Sequence, residues 1–396
     1  MSAFELRTAA CLASIYALRL LGLFLILPVF AVYARQLPGG DNAGLIGLVL
    51  ASYGFTQACM QLPLGLASDR FGRKPVIITG LLVFAAGSVV AGVATDLYTI
   101  LIGRALQGSG AISAALTALL ADHVRPEQRT KAMALVGSSI GLSFALSLVL
   151  APLLYDRIGV SGMFWLTAFL ATAGVVMIAL TVPEPAAQRS EQKVALGSLL
   201  RNPDLLRLNA GIFVLHLVLT ALFIALPFAL IEATALPLGQ HWRVYLPVIG
   251  LALVATGVVI MRAEQYLRAV FLSAISLLVL VLLLLALPHQ GLWPMLVLLA
   301  AFFSAFNILE ALLPSLVSRL APAAGRGAAM GIYNTSQALG IFAGGAIGGA
   351  CASWFGSQAV FIAGAISCGI WIAFAWPMRA PQREAEIGYA VAAESK

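Results

Sequence analysis

Four side chains with chemistry to offer sit where an apolar chain ordinarily holds none. Arg19, Arg104, His216 and Glu310 each lie inside a long hydrophobic run. Burying a charge in lipid costs at least ~2.5–3.5 kcal/mol even on permissive scales, so each needs a reason to be there. Of the 16 acids, Glu310 alone lies deep in such a run. Burial disfavours the charged form of any carboxyl that no cation opposes, and that is what a proton carrier requires. Glu310 is therefore read as exchanging a proton while a substrate competes for its charge or repels it. The competing reading is a permanent ion pair with an arginine. Arg104 and Arg19 either line a polar pathway or bond backbone carbonyls and hold helices together. His216 either joins that pathway or is a neutral, hydrogen-bonded core residue. Asn307 shares a helix face with Glu310 at i, i+3 and is a further pathway candidate. Gln57, Gln61, Asn334 and Gln337 read as glue between helices.

Catalytic and metal chemistry find little support. There is no HExxH, no GxxxxGK[ST] and no second acid within any apolar run to partner Glu310. The four cysteines, Cys11, Cys59, Cys351 and Cys368, lie in apolar runs without a CxxC. No enzyme activity, cofactor or metal is expected. The net charge of +7 comes from cations in short loops, where topology explains them without nucleic acid.

A second constellation lies between two apolar runs and reads Gly65-Leu-Ala-Ser-Asp69-Arg70-Phe-Gly72-Arg73-Lys74. Gly65 lets a neighbouring helix approach, and Gly72 permits a tight turn. Asp69, an acid among three cations, can cap a helix N-terminus or pair with Arg73.

The elements that must carry these residues follow from composition. Hydrophobic residues make up 61% of the 396 and charged ones 10%, against about 25% charge in soluble domains. A span needs roughly 20 apolar residues, and only helices satisfy their own backbone in lipid. Apolar runs near 11–34, 43–68, 75–95, 98–122, 131–155, 161–182, 205–232, 242–262, 268–288, 292–318, 327–352 and 357–378 predict twelve spans. Twelve spans put both termini on one side. Eighteen of the 23 Lys and Arg fall in the loops of that side, which the positive-inside rule makes cytoplasmic. The polar stretch 183–204 divides the chain into a bundle of six helices at 1–182 and another at 205–378, with a short cytoplasmic tail at 379–396. Arg129 and Met133 match Arg326 and Met330, and Gly159 and Phe164 match Gly356 and Phe361, all 197 residues apart. A shared offset of half the chain points to an internal repeat.

With these residues in view, the chain resembles the major facilitator superfamily. Its loop signature G-x-x-x-D-[RK]-x-G-[RK]-[RK] is matched in full from Gly65 to Lys74. The R-x-x-Q-G-x-G motif of span four stands at Arg104, Gln107, Gly108 and Gly110. Gly103–Ala111, Arg129–Met133 and Glu310–Ser315 look like YajR-type members of its drug:proton antiporter branch. The antiporter motif of span five departs: Ala151-Pro152 and Leu153-Leu154 replace a Gly-Pro pair and paired glycines. The resemblance implies an all-α membrane protein with twelve transmembrane helices in two six-helix bundles. It implies that spans one, four, seven and ten, which carry Arg19, Arg104, His216 and Glu310, line a central cavity. It further implies a conformational latch of Gly65, Asp69, Arg70, Gly72, Arg73 and Asp122. There Asp69 would meet the start of span eleven and Arg73 would pair with Asp122, favouring the outward-open state.

The expected function is secondary active transport: proton-coupled efflux of small lipophilic or amphipathic compounds by alternating access. The expected setting is a multi-pass plasma membrane, a bacterial inner membrane, with the protein acting as a monomer on substrate, protons and lipid. The alternative is a facilitator or proton symporter of a small neutral solute. A membrane receptor or intramembrane enzyme is the reading from another class.

Overall fold

The computed structural model describes residues 1–183, 196–263, 265–288, 291–322 and 325–378. The middle of the 183–204 linker, Glu264 and the tail at 379–396 lie outside them.

Polar residues at the ends of apolar runs start the helices. Ser2 and Glu5 form a reciprocal capping box at the head of α1 (Ala3–Phe24). The side chains of Asn42, Asp96 and Asn202 accept backbone N–H bonds at the heads of α3 (Ala43–Phe71), α5 (Leu97–Ser109) and α9 (Pro203–Thr234). Bonds from the Thr99 amide and hydroxyl hold the Asp96 carboxyl below the usual aspartate range. The remaining helices are α2 (Leu27–Ala34), α4 (Arg73–Gly92), α6 (Ser113–His123), α7 (Arg129–Thr181), α8 (Leu196–Arg201), α10 (Trp242–Ala263), α11 (Leu267–Leu285), α12 (Leu292–Leu320), α13 (Arg326–Phe355) and α14 (Ser357–Ala375).

Among the described residues, ten stretches are long and apolar enough to cross a membrane. One of them, in α7, is two crossings that reverse at Gly159. One further crossing consists of two shorter pieces, α5 and α6. The fold is thus twelve transmembrane helices in two six-helix bundles. Two predicted spans prove discontinuous. Span one breaks after Phe24, where Pro28 enters α2 without an N–H to give. Span four, expected as one run over 98–122, breaks at Gly110-Ala-Ile112. Gly159 (φ 63°) and Gly356 (φ 83°) make matching reversals between spans five and six and between eleven and twelve. A Cβ is disfavoured at such angles, which explains glycine at both ends of the 197-residue offset.

Hydroxyl-to-carbonyl bonds fasten the first bundle: Ser139 and Ser143 of α7 donate to Ala13 and Ala17 of α1 at 3.2 and 3.1 Å. Between the bundles, contact concentrates on the face away from the N-terminus, here called the far face. There α3 meets α13 through small residues. A Cβ on Gly47 would strike Gly345 and Gly349, and one on Gly54 would strike Ala338 and Phe342. The Arg35 guanidinium of the first bundle lies 5.4 Å from the Phe228 ring of the second. Toward the terminal face, which carries the N-terminus, the seam loosens: Gly327 and Gly331 of α13 have nothing within 4 Å of a would-be Cβ. The buried apolar residues divide accordingly. One cluster joins both bundles, while a second belongs wholly to the terminal half of the first.

Candidate functional site

The signature turn is built inside the first bundle. Gly72 (φ 95°) reverses the chain between α3 and α4. That reversal brings Arg73 against Asp69, with which it forms an ion pair. The same guanidinium reaches Asp122 at the end of α6 at 3.4 Å and donates to the Ser68 hydroxyl at 2.7 Å. Next to it, Lys74 donates to the carbonyls of Ala179 and Val182 at 2.9 and 2.8 Å, tying the turn to the end of α7. The Arg70 guanidinium lies over the neighbouring Phe71 ring. Gly65 faces Ala114 of α6, 3.4 Å from where a Cβ would stand. The Asp69 side chain is 59% exposed, and α13 starts at Gly325 without a side-chain cap. The Arg73–Asp122 pair is therefore present, whereas Asp69 in this state holds Arg73 and not the start of span eleven. A second ion pair on this face, Arg125 to Glu5 at 2.9 Å, also stays within the first bundle. It raises the Arg125 guanidinium above its ordinary value.

Arg19 and Arg104 turn into the first bundle, and both use Tyr53. The Arg19 Nη2 donates to the Tyr53 hydroxyl at 3.1 Å and to the Gly110 carbonyl at 3.3 Å. The break in span four frees that carbonyl, and a cation at a helix C-terminus is favourable. Arg104 lies 4.9 Å from the Tyr53 ring centroid and donates to Gln107 at 2.9 Å. Gln107 in turn donates to Ser88 of α4 at 2.8 Å. Each arginine is 1% exposed. Through these bonds the two arginines join spans one, two, three and four, while Arg19 Nε and Nη1 and Arg104 Nε are buried without a partner.

The second bundle presents its polar group differently. The Glu310 side chain on α12 is 29% exposed. Its Oε2 is buried without a hydrogen-bond partner. No arginine or lysine among the described residues pairs with it; the neighbouring titratable group is His216, with Nδ1 4.0 Å from Oε2. The His216 ring is 5% exposed and fully engaged. Nδ1–H directed to the Ile212 carbonyl (3.3 Å) leaves Nε2 to accept from the Gln337 amide of α13 (2.8 Å), the pattern of a neutral ring. Asn307 stands half-buried on the same face as Glu310. Directly beyond, toward the far face, Phe306 and Phe303 of α12 meet Phe144 of α7 at 5.9 and 6.0 Å across the two bundles. A packed aromatic layer thus lies on one side of Glu310 and an unpacked seam on the other.

Three tyrosines and a glutamine complete the centre; sequence reasoning reads Gln337 as glue between helices but misses the part of the tyrosines. Tyr16 donates to the Ser113 hydroxyl at the break in span four, 2.8 Å away, and lies within electrostatic reach of both Arg19 and Glu310. Tyr333 of α13 is buried near Glu310 with its hydroxyl unpartnered. Tyr53 joins the two arginines, and Gln337 holds His216. A usable signal was present: Tyr16 precedes Arg19 by three residues, and Tyr333 precedes Gln337 by four, so each pair shares a helix face.

Comparison with known proteins agrees with this architecture. A family profile described as Major Facilitator Superfamily matches residues 12–263 and 248–392. The chain is 42% identical over 388 residues to the inner membrane transport protein YajR of Escherichia coli, covering 96% of this chain and 85% of the relative. It is 33% identical over 124 residues to the class B tetracycline resistance protein of Escherichia coli, covering 31% of each chain. Among solved structures, a bacterial homologue of the human lysosomal transporter Spinster, in an inward-facing and occupied conformation, superposes with a TM-score of 0.73. That match has 15% identity over 95% of this chain and 97% of the other.

Proposed function

This chain belongs to the Major Facilitator Superfamily and is a membrane transporter, and from that premise we propose that it is a proton-coupled exporter of small lipophilic or amphipathic compounds. The observation that carries this reading is Glu310, a carboxyl in the middle of the second bundle with no cationic partner of its own. Its side chain is 29% exposed, and the Phe144–Phe303–Phe306 layer lies on its far-face side. Such a group can lose its proton to the side that is open and regain one when the other side opens. A substrate that binds against it is then coupled to the proton by linkage. The aromatic layer beside it suits an apolar substrate body. The partial match to a tetracycline resistance protein favours efflux over uptake.

The orientation we adopt places both termini in the cytoplasm, from the excess of Lys and Arg on the terminal face. The membrane is then a bacterial inner membrane, that of the 42% identical relative. The molecule, closed on the far face, faces inward and works as a monomer, with bundles at 1–182 and 205–378. Asp69 is the group that changes partner: free of α13 here, it would reach the uncapped α13 start when the terminal face closes, a contact worth up to ~2 kcal/mol.

The deciding experiment is efflux from proteoliposomes across an imposed pH gradient, with a panel of cationic and neutral compounds. Export should follow the gradient in the parent and fail in Glu310→Gln. Gradient-driven transport that survives in Glu310→Gln rules out this carboxyl as the coupling site. Transport of neutral solutes that ignores the gradient in the parent establishes a facilitator instead.

A further inference from the structure

A cross-bundle contact outside the substrate and proton pathway lies on the far face, on the flank opposite the α3–α13 seam. Asp156 of α7 stands three residues before the Gly159 reversal. Its carboxylate lies against Gly239 of the second bundle, so close that a Cβ on residue 239 would coincide with it. Gly239 is not among the residues with positive φ, so space, and not backbone angle, is what excludes a side chain there. The turn that presents it is firmly seated. Leu238 is 6% exposed and His241 is fully buried. Two backbone bonds close the turn, from Gln240 to Pro237 at 2.8 Å and from His241 to Leu238 at 3.2 Å. His241 also packs edge-on to the buried Tyr245 ring of α10. Asp156, in contrast, remains exposed at the rim.

A rigid, side-chain-free turn on one bundle that receives a rim carboxylate from the other is shaped to be made and broken whole. We propose that Asp156 and Gly239 are positioning residues for the transport cycle, forming a latch that holds the far face closed between α7 and α10. The glycine seam between α3 and α13 holds the other flank, and both must part before the far face opens. This inference concerns the opening step alone and stands whether or not Glu310 carries the proton.

The test reads the far face directly. Spin labels at Asp41, exposed in the far-face loop before α3, and Gln358, exposed in the first turn of α14, are introduced into the full chain in a cysteine-free background. Their distance is measured by pulsed electron resonance in nanodiscs. A methyl at residue 239 collides with the carboxylate, so Gly239→Ala should raise the longer-distance population about tenfold. Asp156→Ala removes the other half of the same contact, so it should also enlarge the longer-distance population, and Gly239→Ala combined with Asp156→Ala should stay as open as Gly239→Ala alone. Three results overturn the latch: a Gly239→Ala or Asp156→Ala distribution identical to the parent, a double variant that returns to the parent, or lengthening that appears equally with labels placed on the terminal face. Folding is controlled by the elution profile of each variant, and Asp156→Ala, a truncation at an exposed position, supplies the answer should Gly239→Ala alone prove unstable.

Discussion

The far and terminal faces of this molecule are held by different kinds of force, and the difference shows how one chain can open at one end at a time. On the far face the bundles touch each other through backbone and rings: Gly47 and Gly54 against α13, and Phe144 against Phe303 and Phe306. On the terminal face the strong contacts are ionic, and each stays inside one bundle: Arg73 with Asp69 and Asp122 and Arg125 with Glu5 in the first, and Arg207 with Asp204 in the second. Close packing is all-or-none, because a gap of even 0.5–1 Å forfeits about a quarter to a half of the attraction. Ion pairs confined to one bundle do not oppose the separation of two. The closed end is thus closed by fit, and the open end keeps its charges occupied while it waits for a partner.

Four substitutions test that contrast, beginning with the largest effect. Gly345→Leu places a large side chain where α3 and α13 share backbone contact. Overpacking of about 1–3 kcal/mol should shift the far face toward opening by roughly one to two orders of magnitude and abolish turnover. Label accessibility on the far-face loops reads it, and an unchanged pattern would show that the seam is not what closes this end. Next, Glu310→Gln should remove the response of efflux to a pH gradient, a coupling of about five- to 150-fold, while counterflow exchange without a gradient continues. Loss of both would make Glu310 a packing residue. Phe144→Ala should cost the aromatic contacts about 0.5–1.5 kcal/mol, a rise of roughly two- to tenfold in far-face opening measured by the same labels. The smallest effect is expected from Asp69→Asn. Its pair with Arg73 is exposed, so the melting temperature in detergent should move little, in keeping with about 0–1 kcal/mol. Terminal-face closure, in contrast, should become rarer. A large loss of thermal stability would show that the turn is structural and the contrast between the faces is wrong.

Much of this fold was legible because lipid imposes a length on every crossing. Runs such as 205–232 and 357–378 are too apolar and too long to be anything else, and the DRxGRK turn announced itself through Gly72. The facing of the buried charges was not legible. Spans one and four are apolar on nearly every side, so no polar stripe tells which way Arg19 or Arg104 points. Their inward turn toward Tyr53 depends on the rotation of each helix about its axis. The break at Gly110-Ala-Ile112 was hidden for the same reason. A glycine followed by two apolar residues reads as continuous helix, and the partner of the carbonyl that the interruption frees, the Arg19 guanidinium, lies 91 residues away. Glu310 stood out in the sequence as the lone deep carboxylate, yet its lack of an arginine partner among the described residues emerges only when Arg19 and Arg104 are seen bonded to Tyr53, Gly110 and Gln107.

The matched reversals at Gly159 and Gly356 have a practical corollary. They fit an internal repeat whose two halves carry different polar groups, the buried arginines in one and the carboxyl in the other. Each site in one copy therefore has a natural counterpart 197 residues away, in a similar helix at a similar depth. An alanine at Gly159 and another at Gly356 should impose comparable backbone penalties, so any inequality in their effect on turnover measures how far the two copies have diverged in labour.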